Sequence, residues 1–534
     1  MTLTLEEAVG QKLMLAFEGI EPPYRILETI EARHVGGFTL FRALNVESPE
    51  QVRSLTGALQ DAATRSGQPP LLIGTDQEGG QLMTIADTTP FPGNMALGAS
   101  GSADLARRTG EALGRELAAV GVNVDYAPVC DVNVNPRNPN VGTRSFGEDP
   151  TAVARLCAAM VEGLQSAGVA ATAKHFPGHG DAGSDPHYEL PVVPHDYDHL
   201  ARTAFPPFEA AIEAGARMIM TTHVAFPALN DGLALPSTLS TSTLRGVLRH
   251  RMGFQGVIIS DAMDMGAIEQ GSGLIVDSLT AVAAGVDLLL LLDNPEAEEA
   301  IVSALTQATR RRLLSLQRAR VSAERVLALK RWVSATEQPL LEVVGCPAHA
   351  RLASEAAERS VTLVLDDAGL LPLRLSAENR LAVIVPRSVD LTPADTSSYF
   401  SCDLAEVMRG YPPSVDEFVI PHTPSDADIA ALRGRASEYD MIIVGTTNAL
   451  AEPGQAALVD ALVETGVPTI VVGLRLPYDL EAYPAAPTYV CTYGILAPSM
   501  EALAGALWGD VPFQGRLPVS IPGLYGTGHG ILTG

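Results

Sequence analysis

Seven short apolar runs, most of them closing on a polar or charged residue, recur through the first 300 positions: 36–41, 71–76, 122–131, 169–175, 217–223, 256–261 and 286–293. Alanine-rich stretches with helical spacing lie between them, among them 103–119, 151–167 and 205–216. Strands that alternate with helices pair in parallel through right-handed crossovers, which predicts α/β architecture. Seven strands over this length fit a TIM-like (β/α)8 barrel better than an open sheet, with one strand unplaced. A helical segment ending near Trp332 is followed by 338–347, which carries two prolines and a glycine and predicts a linker over 336–350. A second alternating series, 381–386, 418–421, 441–446, 469–474 and 488–493, predicts five parallel strands in a smaller, doubly wound parallel α/β domain. The chain thus divides into a barrel over 1–335 and an α/β domain over 351–534.

The balance of 36 Lys plus Arg against 62 Asp plus Glu leaves a formal charge of −26, with no basic stripe. Such a chain repels a phosphate backbone, which excludes nucleic acid as a partner. The longest aliphatic run, 288–292, is flanked by Asp287 and Asp293 and falls far short of the roughly 20 residues that cross a bilayer, so no membrane partner is expected. The N-terminal MTLTLEEAVGQKLML has no basic segment followed by an apolar stretch and reads as a helix of the fold. Five scattered cysteines without a CxxC fit a reducing compartment, and a cytoplasmic location is expected. Only three lysines occur, Lys12, Lys174 and Lys330, so a lysine in a chemically suggestive position is informative.

Five of the eleven histidines, His175, His179, His187, His195 and His199, fall in one stretch that follows an apolar run. In a barrel, the loops after the strands build the active site. The spacing of His175 and His179, with Asp185 and His187 nearby, raises a zinc site, but Pro177, Gly178 and Gly180 break the helix that such spacing needs. No metal and no cofactor are expected. In a second reading His179, His195 and His199 simply hydrogen-bond the backbone of a tight Gly/Pro loop. In a third, Asp185 and His187 pair on one face of an extended loop, the carboxylate fixing the tautomer of a general acid/base.

An acid/base needs a nucleophile, and the run 256–260 ends on Asp261, a carboxylate at a rigid strand end. Asp264 competes with it, and otherwise reads as a carboxylate at a helix N-terminus. Other strand ends offer groups that hold sugar hydroxyls: Asp76 in DQEGG, whose paired glycines allow close approach to a ligand, then Lys174, His175, Arg144 and His223.

Taken in order, DQEGG at Asp76, FPGNMALGA at Phe91, NVDYAPVCDVN at Asn123, GTRSFGEDP at Gly142, KHFPGHGDAGSDPH at Lys174, MTTHVAFPALN at Met220 and GFQGVIISDAMDM at Gly253 resemble the motifs of family 3 glycoside hydrolases. The likeness is to the bacterial β-N-acetylglucosaminidase branch, which uses a histidine acid/base; it spans most of the first 330 residues, and the second domain resembles the smaller domain of two-domain members by weaker motifs. The resemblance implies a TIM-like barrel in which Asp261 is the nucleophile, His187 the acid/base and Asp185 its partner. It also implies sugar-binding roles for Asp76, Arg144, Lys174 and His175. Two positions depart from the pattern: Gln81 stands where arginine is common, and Pro186 stands where serine is frequent.

The activity so implied is retaining, exo-acting cleavage of terminal β-linked GlcNAc through a covalent glycosyl-enzyme. The expected partner is a small GlcNAc-containing saccharide, and peptidoglycan recycling is one setting for it. Alternatives are a phosphorylase using phosphate as acceptor, which an imidazole would not repel, and a family 3 β-glucosidase or β-xylosidase, which would draw a carboxylate acid/base from the second domain. A metal-dependent hydrolase and a non-catalytic sugar-binding module are further rivals.

Overall fold

Each of the seven apolar runs contains a strand, and an eighth strand closes the ring. The computed structural model describes residues 3–268 and 270–533. Strands β1 (Leu13–Leu15), β2 (Gly37–Thr39), β3 (Leu72–Thr75), β4 (Val124–Asp125), β5 (Ala170–Phe176), β6 (Met218–Thr221), β7 (Val257–Ala262) and β8 (Leu288–Leu291) pair in parallel as a closed barrel. Met14, Leu72, Val124, Met218, Ile259 and Leu290 share one core inside it. Leu13, Phe38, Ile73, Ile219, Ile258 and Leu289 pack outward against the helices, as the two-residue period of a barrel strand requires. Ser48, Ser102, Asp149 and Asn294 each cap a helix by accepting a backbone N–H in its first turn.

The eighth strand is β1, within the stretch that the sequence reading takes as helix. The helix Leu5–Gly10, capped reciprocally by Thr4 and Glu7, ends early. Gly10 lies so close to the Arg33 carbonyl that a Cβ would stand 1.8 Å from its oxygen. Three residues, all paired with β8 and two of them also with β2, then take strand geometry against their local pattern.

The helix Leu316–Val333 covers the N-terminal end of the barrel, packing Val326, Leu329 and Val333 on the interior core. It buries Lys330, whose Nζ donates to the Val35 carbonyl at 3.1 Å; burial alone presses its pKa down to about 7. The unfolded chain, titrating at about 10.5, therefore binds more protons between pH 10.5 and 7, and stability is expected to rise with pH across that window and to be flat below it. Replacement Lys330→Met is expected to stabilise the protein at pH 7 by roughly 2–4 kcal/mol, the lost hydrogen bond already discounted. Chemical denaturation at several pH values checks this: an unchanged pH slope in the variant would count against it.

In the second domain, β9 (Thr362–Asp366), β10 (Arg380–Pro386), β11 (Ser414–Ile420), β12 (Met441–Thr446), β13 (Thr469–Gly473) and β14 (Thr488–Cys491) form one sheet in the order β9-β14-β13-β12-β10-β11. The five expected strands are parallel. The sixth, β9, is an antiparallel edge paired with β14, so the sheet is mixed. The helix Pro347–Glu358 begins inside the segment read as linker and sends Leu352, Ala353 and Ala356 into the barrel's outer core and Ala357 into that of the second domain. Among the described residues no helix is long and apolar enough to cross a membrane.

Candidate active site

The C-terminal ends of the barrel strands converge on a cavity of about 490 Å³. Strand β5 begins as Ala-Ala-Thr-Ala and then turns Lys174 and His175 toward this end, Lys174 fully buried. A buried ammonium needs compensation. Lys174 Nζ lies 2.5 Å from Asp76 Oδ1 and 2.5 Å from Glu78 Oε1. Arg144 forks onto Glu78 at 2.8 and 3.0 Å and donates to Asn140 Oδ1 at 2.8 Å. Burial would raise the Glu78 pKa, but Arg144 and Lys174 outweigh it and hold it at about 2. Glu78 is thus the buried hub of this wall, two residues beyond Asp76, where the sequence reading passes over it. Gly79 and Gly80 adopt φ of +79° and +61° and approach the backbone of Phe91 to Gly93 rather than a ligand.

His175 donates from Nδ1 to Asp131 Oδ2 at 2.7 Å, and the same carboxylate accepts the backbone N–H groups of His175 and His179. Asp131 closes an apolar run just as Asp261 does, and that signal points to it. His179 is buried with both ring nitrogens unpartnered among the described residues, and burial lowers its pKa to about 4.

On the loop after β5, Asp185 Oδ1 accepts both the backbone N–H of His187, at 3.0 Å, and its Nδ1–H, at 2.6 Å. Burial would raise the Asp185 pKa; its hydrogen bonds from His187 prevail and lower it. The ring is left with Nε2 as its exchangeable position, half-exposed at the cavity. The carbonyls of Pro186 and His187 accept the N–H groups of Ala267 and Gly266, each at 3.0 Å, so this loop is stitched by main chain to the turn after β7.

Asp261 is the penultimate residue of β7 and spends one oxygen on the neighbouring Ala262 N–H at 2.9 Å. Burial would raise its pKa, but His175, His223 and His187 around it outweigh this and lower it. Asp264 borders the same cavity with its oxygens engaged by the Leu292 N–H, and burial raises its pKa. It clamps two loops; the next helix, Ser272–Ala284, starts well beyond it. His223, expected among the sugar contacts, is fully buried, pairs with Thr238 at 2.8 Å and donates from Nε2 to the Ala262 carbonyl at 3.0 Å. It braces the strand end that carries Asp261 and does not line the cavity.

The second domain supplies part of the wall: Asp390, Asp395, Thr396 and Tyr399 line the cavity, with Tyr399 under the Arg42 guanidinium at 4.4 Å. Gln81 docks this segment. Its carbonyl accepts from Thr396, and its side-chain oxygen accepts from Arg475 at 2.7 Å and Thr143 at 2.6 Å. The departure at Gln81 therefore serves the contact between domains. Nothing in the sequence pattern of 388–400 signals that role.

The model of the glycosyl hydrolase family 3 N-terminal domain matches residues 4–329. The chain belongs to glycoside hydrolase family 3. It is 31% identical to "Beta-hexosaminidase A" of Pseudoalteromonas piscicida, covering 97% of each chain. It is likewise 31% identical to "Beta-N-acetylglucosaminidase/beta-glucosidase" of Cellulomonas fimi, over 96% of this chain and 93% of that one. Among solved structures, a family 3 β-N-acetylglucosaminidase from Paenibacillus sp. FPU-7 superposes with a TM-score of 0.92 at 37% identity, over 97% of this chain and 99% of that one. As a family 3 member the chain is a glycoside hydrolase with a TIM-like barrel.

Proposed function

We propose that the protein is a retaining, exo-acting β-N-acetylglucosaminidase. One observation carries the reading: Asp261 and His187, the latter held through Nδ1 by Asp185, border a single cavity. Asp261 attacks the anomeric carbon of a terminal β-linked GlcNAc as the glycosidic bond breaks, and protonated His187 passes its Nε2 proton to the departing oxygen. Water then opens the glycosyl-enzyme, giving its proton to neutral His187, so that both groups are restored and the anomeric configuration is retained. Asp76, Arg144, Lys174 and His175 hold the sugar hydroxyls. The names of the Pseudoalteromonas and Paenibacillus relatives support the choice of sugar, and a cavity of about 490 Å³ suits a small peptidoglycan or chitin fragment.

Replacement His187→Ala is expected to slow cleavage by about 10²- to 10⁴-fold when the leaving group is an alkanol or a sugar, and far less for dinitrophenol, whose departure needs no proton. Rates over a series of leaving groups check the role, and a uniform loss would remove it. Nitrophenyl GlcNAc is expected to be cleaved faster than nitrophenyl glucose; the reverse order would favour the glucoside reading suggested by the Cellulomonas relative's name. Phosphate is the acceptor to test beside water, because an imidazole does not repel it and Arg42 borders the cavity. Release of GlcNAc 1-phosphate in phosphate buffer identifies that outcome.

A further inference from the structure

Two of the five clustered histidines take no part in this chemistry. His195 precedes the helix Tyr197–Thr203 and His199 lies in its first turn, where the N-cap Asp196 receives its backbone N–H at 2.7 Å. Both rings turn toward Asp181, which sits on the acid/base loop between His179 and Asp185. His195 Nε2 is 2.5 Å from Asp181 Oδ2 and His199 Nε2 is 3.8 Å from the same atom. The rings stack with centroids 4.0 Å apart and planes 25° apart, and the three ligand atoms lie within 4.8 Å of one another.

We propose that Asp181, His195 and His199 form a site for a divalent transition-metal ion, zinc foremost, that ties the acid/base loop to the helix Tyr197–Thr203. An ion pair between Asp181 and His195 accounts for one imidazole; it gives no reason for a second, stacked on the first, to aim its nitrogen at the same oxygen. Ligand atoms around tetrahedral zinc stand about 3.4 Å apart, given metal–ligand bonds near 2.1 Å, and the observed 2.5 and 3.8 Å bracket that spacing. Small side-chain rotations therefore complete the site, and water takes the fourth position. Two imidazoles and one carboxylate select zinc, cobalt or nickel over calcium and magnesium, which prefer oxygen. The three side chains are 29–38% exposed, so an ion has access without unfolding. The ion would add to the hold that Asn135 and Asn138 already have on this loop, their amides donating to the Ala182 carbonyl at 3.1 Å each. It would stand outside the catalytic cavity, which none of its three ligands lines.

The test is a calorimetric titration of chelator-treated full-length protein with zinc chloride, joined by the visible spectrum with cobalt(II). Zinc is expected to bind as one equivalent, cobalt(II) to give the intense bands of a four-coordinate site, and the melting temperature to rise with zinc concentration. Asp181→Asn and His199→Ala are each expected to weaken zinc by about tenfold or more, and the double variant His195→Ala/His199→Ala to lose the equivalent while keeping the metal-free circular dichroism spectrum. His187→Ala is expected to bind zinc as the unaltered protein does. Absence of binding, unchanged affinity in the double variant, or loss of the equivalent in His187→Ala would each overturn the proposal. These readouts do not depend on glycosidase activity, so a failure here is distinct from a failure of the proposed function.

Discussion

Alanine at position 261 is expected to abolish turnover, with kcat/KM for a GlcNAc glycoside falling on the order of 10⁴- to 10⁶-fold, the range seen when a covalent nucleophile is removed. That loss corresponds to roughly 5–8 kcal/mol of transition-state stabilisation. The size follows from the role: without the carboxylate no bond forms to the anomeric carbon, and what remains is the polarising effect of the surrounding groups. Little stability should go with it, because among the described residues the Asp261 side chain makes one hydrogen bond, to the adjacent Ala262 N–H. The neighbouring carboxylate provides the contrast. Asp264 holds the Leu292 N–H, so Asp264→Ala should lower the melting temperature while leaving a measurable rate. Retention of activity within about tenfold in Asp261→Ala would remove the nucleophile assignment, and the reverse pattern would transfer it to Asp264.

Glu78→Gln is the second large effect, and it falls on stability. One buried carboxylate compensates two buried cations, Lys174 and Arg144. Removing the common partner of a buried ion pair costs about 3–5 kcal/mol, because desolvated charge is left uncompensated. The lowered Glu78 pKa has the same sign. Glu78 is held at about 2 against an ordinary 4.5, so its contribution is complete above pH 4.5 and is lost as pH falls toward 2, a span worth about 3 kcal/mol. Denaturant midpoints of the two proteins should therefore lie far apart at pH 7 and converge as the medium is acidified below about 4.5. The variant should also bind substrate more weakly, since Lys174 and Arg144 lose the group that aims them. Equal stability at pH 7 would mean that Asp76 and water, and not Glu78, compensate these cations.

What the sequence discloses divides along a physical line. Seven barrel strands are legible because each is buried on both faces and must be continuously apolar. β1 is not, because it follows almost directly on the helix Leu5–Gly10, which dominates the local pattern. Asp185, His187 and Asp261 are legible because each lies in a short segment whose chemistry is local. Glu78 acts through partners distant in the chain, Arg144 and Lys174, and a carboxylate alone in sequence does not announce such a role; Asp131, which holds the His175 ring, is marked only by its place at the end of an apolar run. His223 is a related case: a histidine at a strand end looks like a ligand group, while its ring supports the Ala262 carbonyl from behind. The cavity wall from Asp390 to Tyr399 depends on how two domains dock, which no periodicity encodes.

The main-chain stitches from Gly266 and Ala267 to the carbonyls of His187 and Pro186 have a consequence for how such an active site can change. They involve no side chain of either loop, so the placement of position 187 beside Asp261 is indifferent to the residue that stands there. A proton donor of another chemical kind can be exchanged at 187 within a frame that stays put. The constraint falls instead on Gly266, where a Cβ would come within 2.8 Å of the His187 and Tyr188 carbonyl oxygens and force the seam apart. The cavity is thus open to substitution at position 187, which lines it, and closed to it at a glycine that does not.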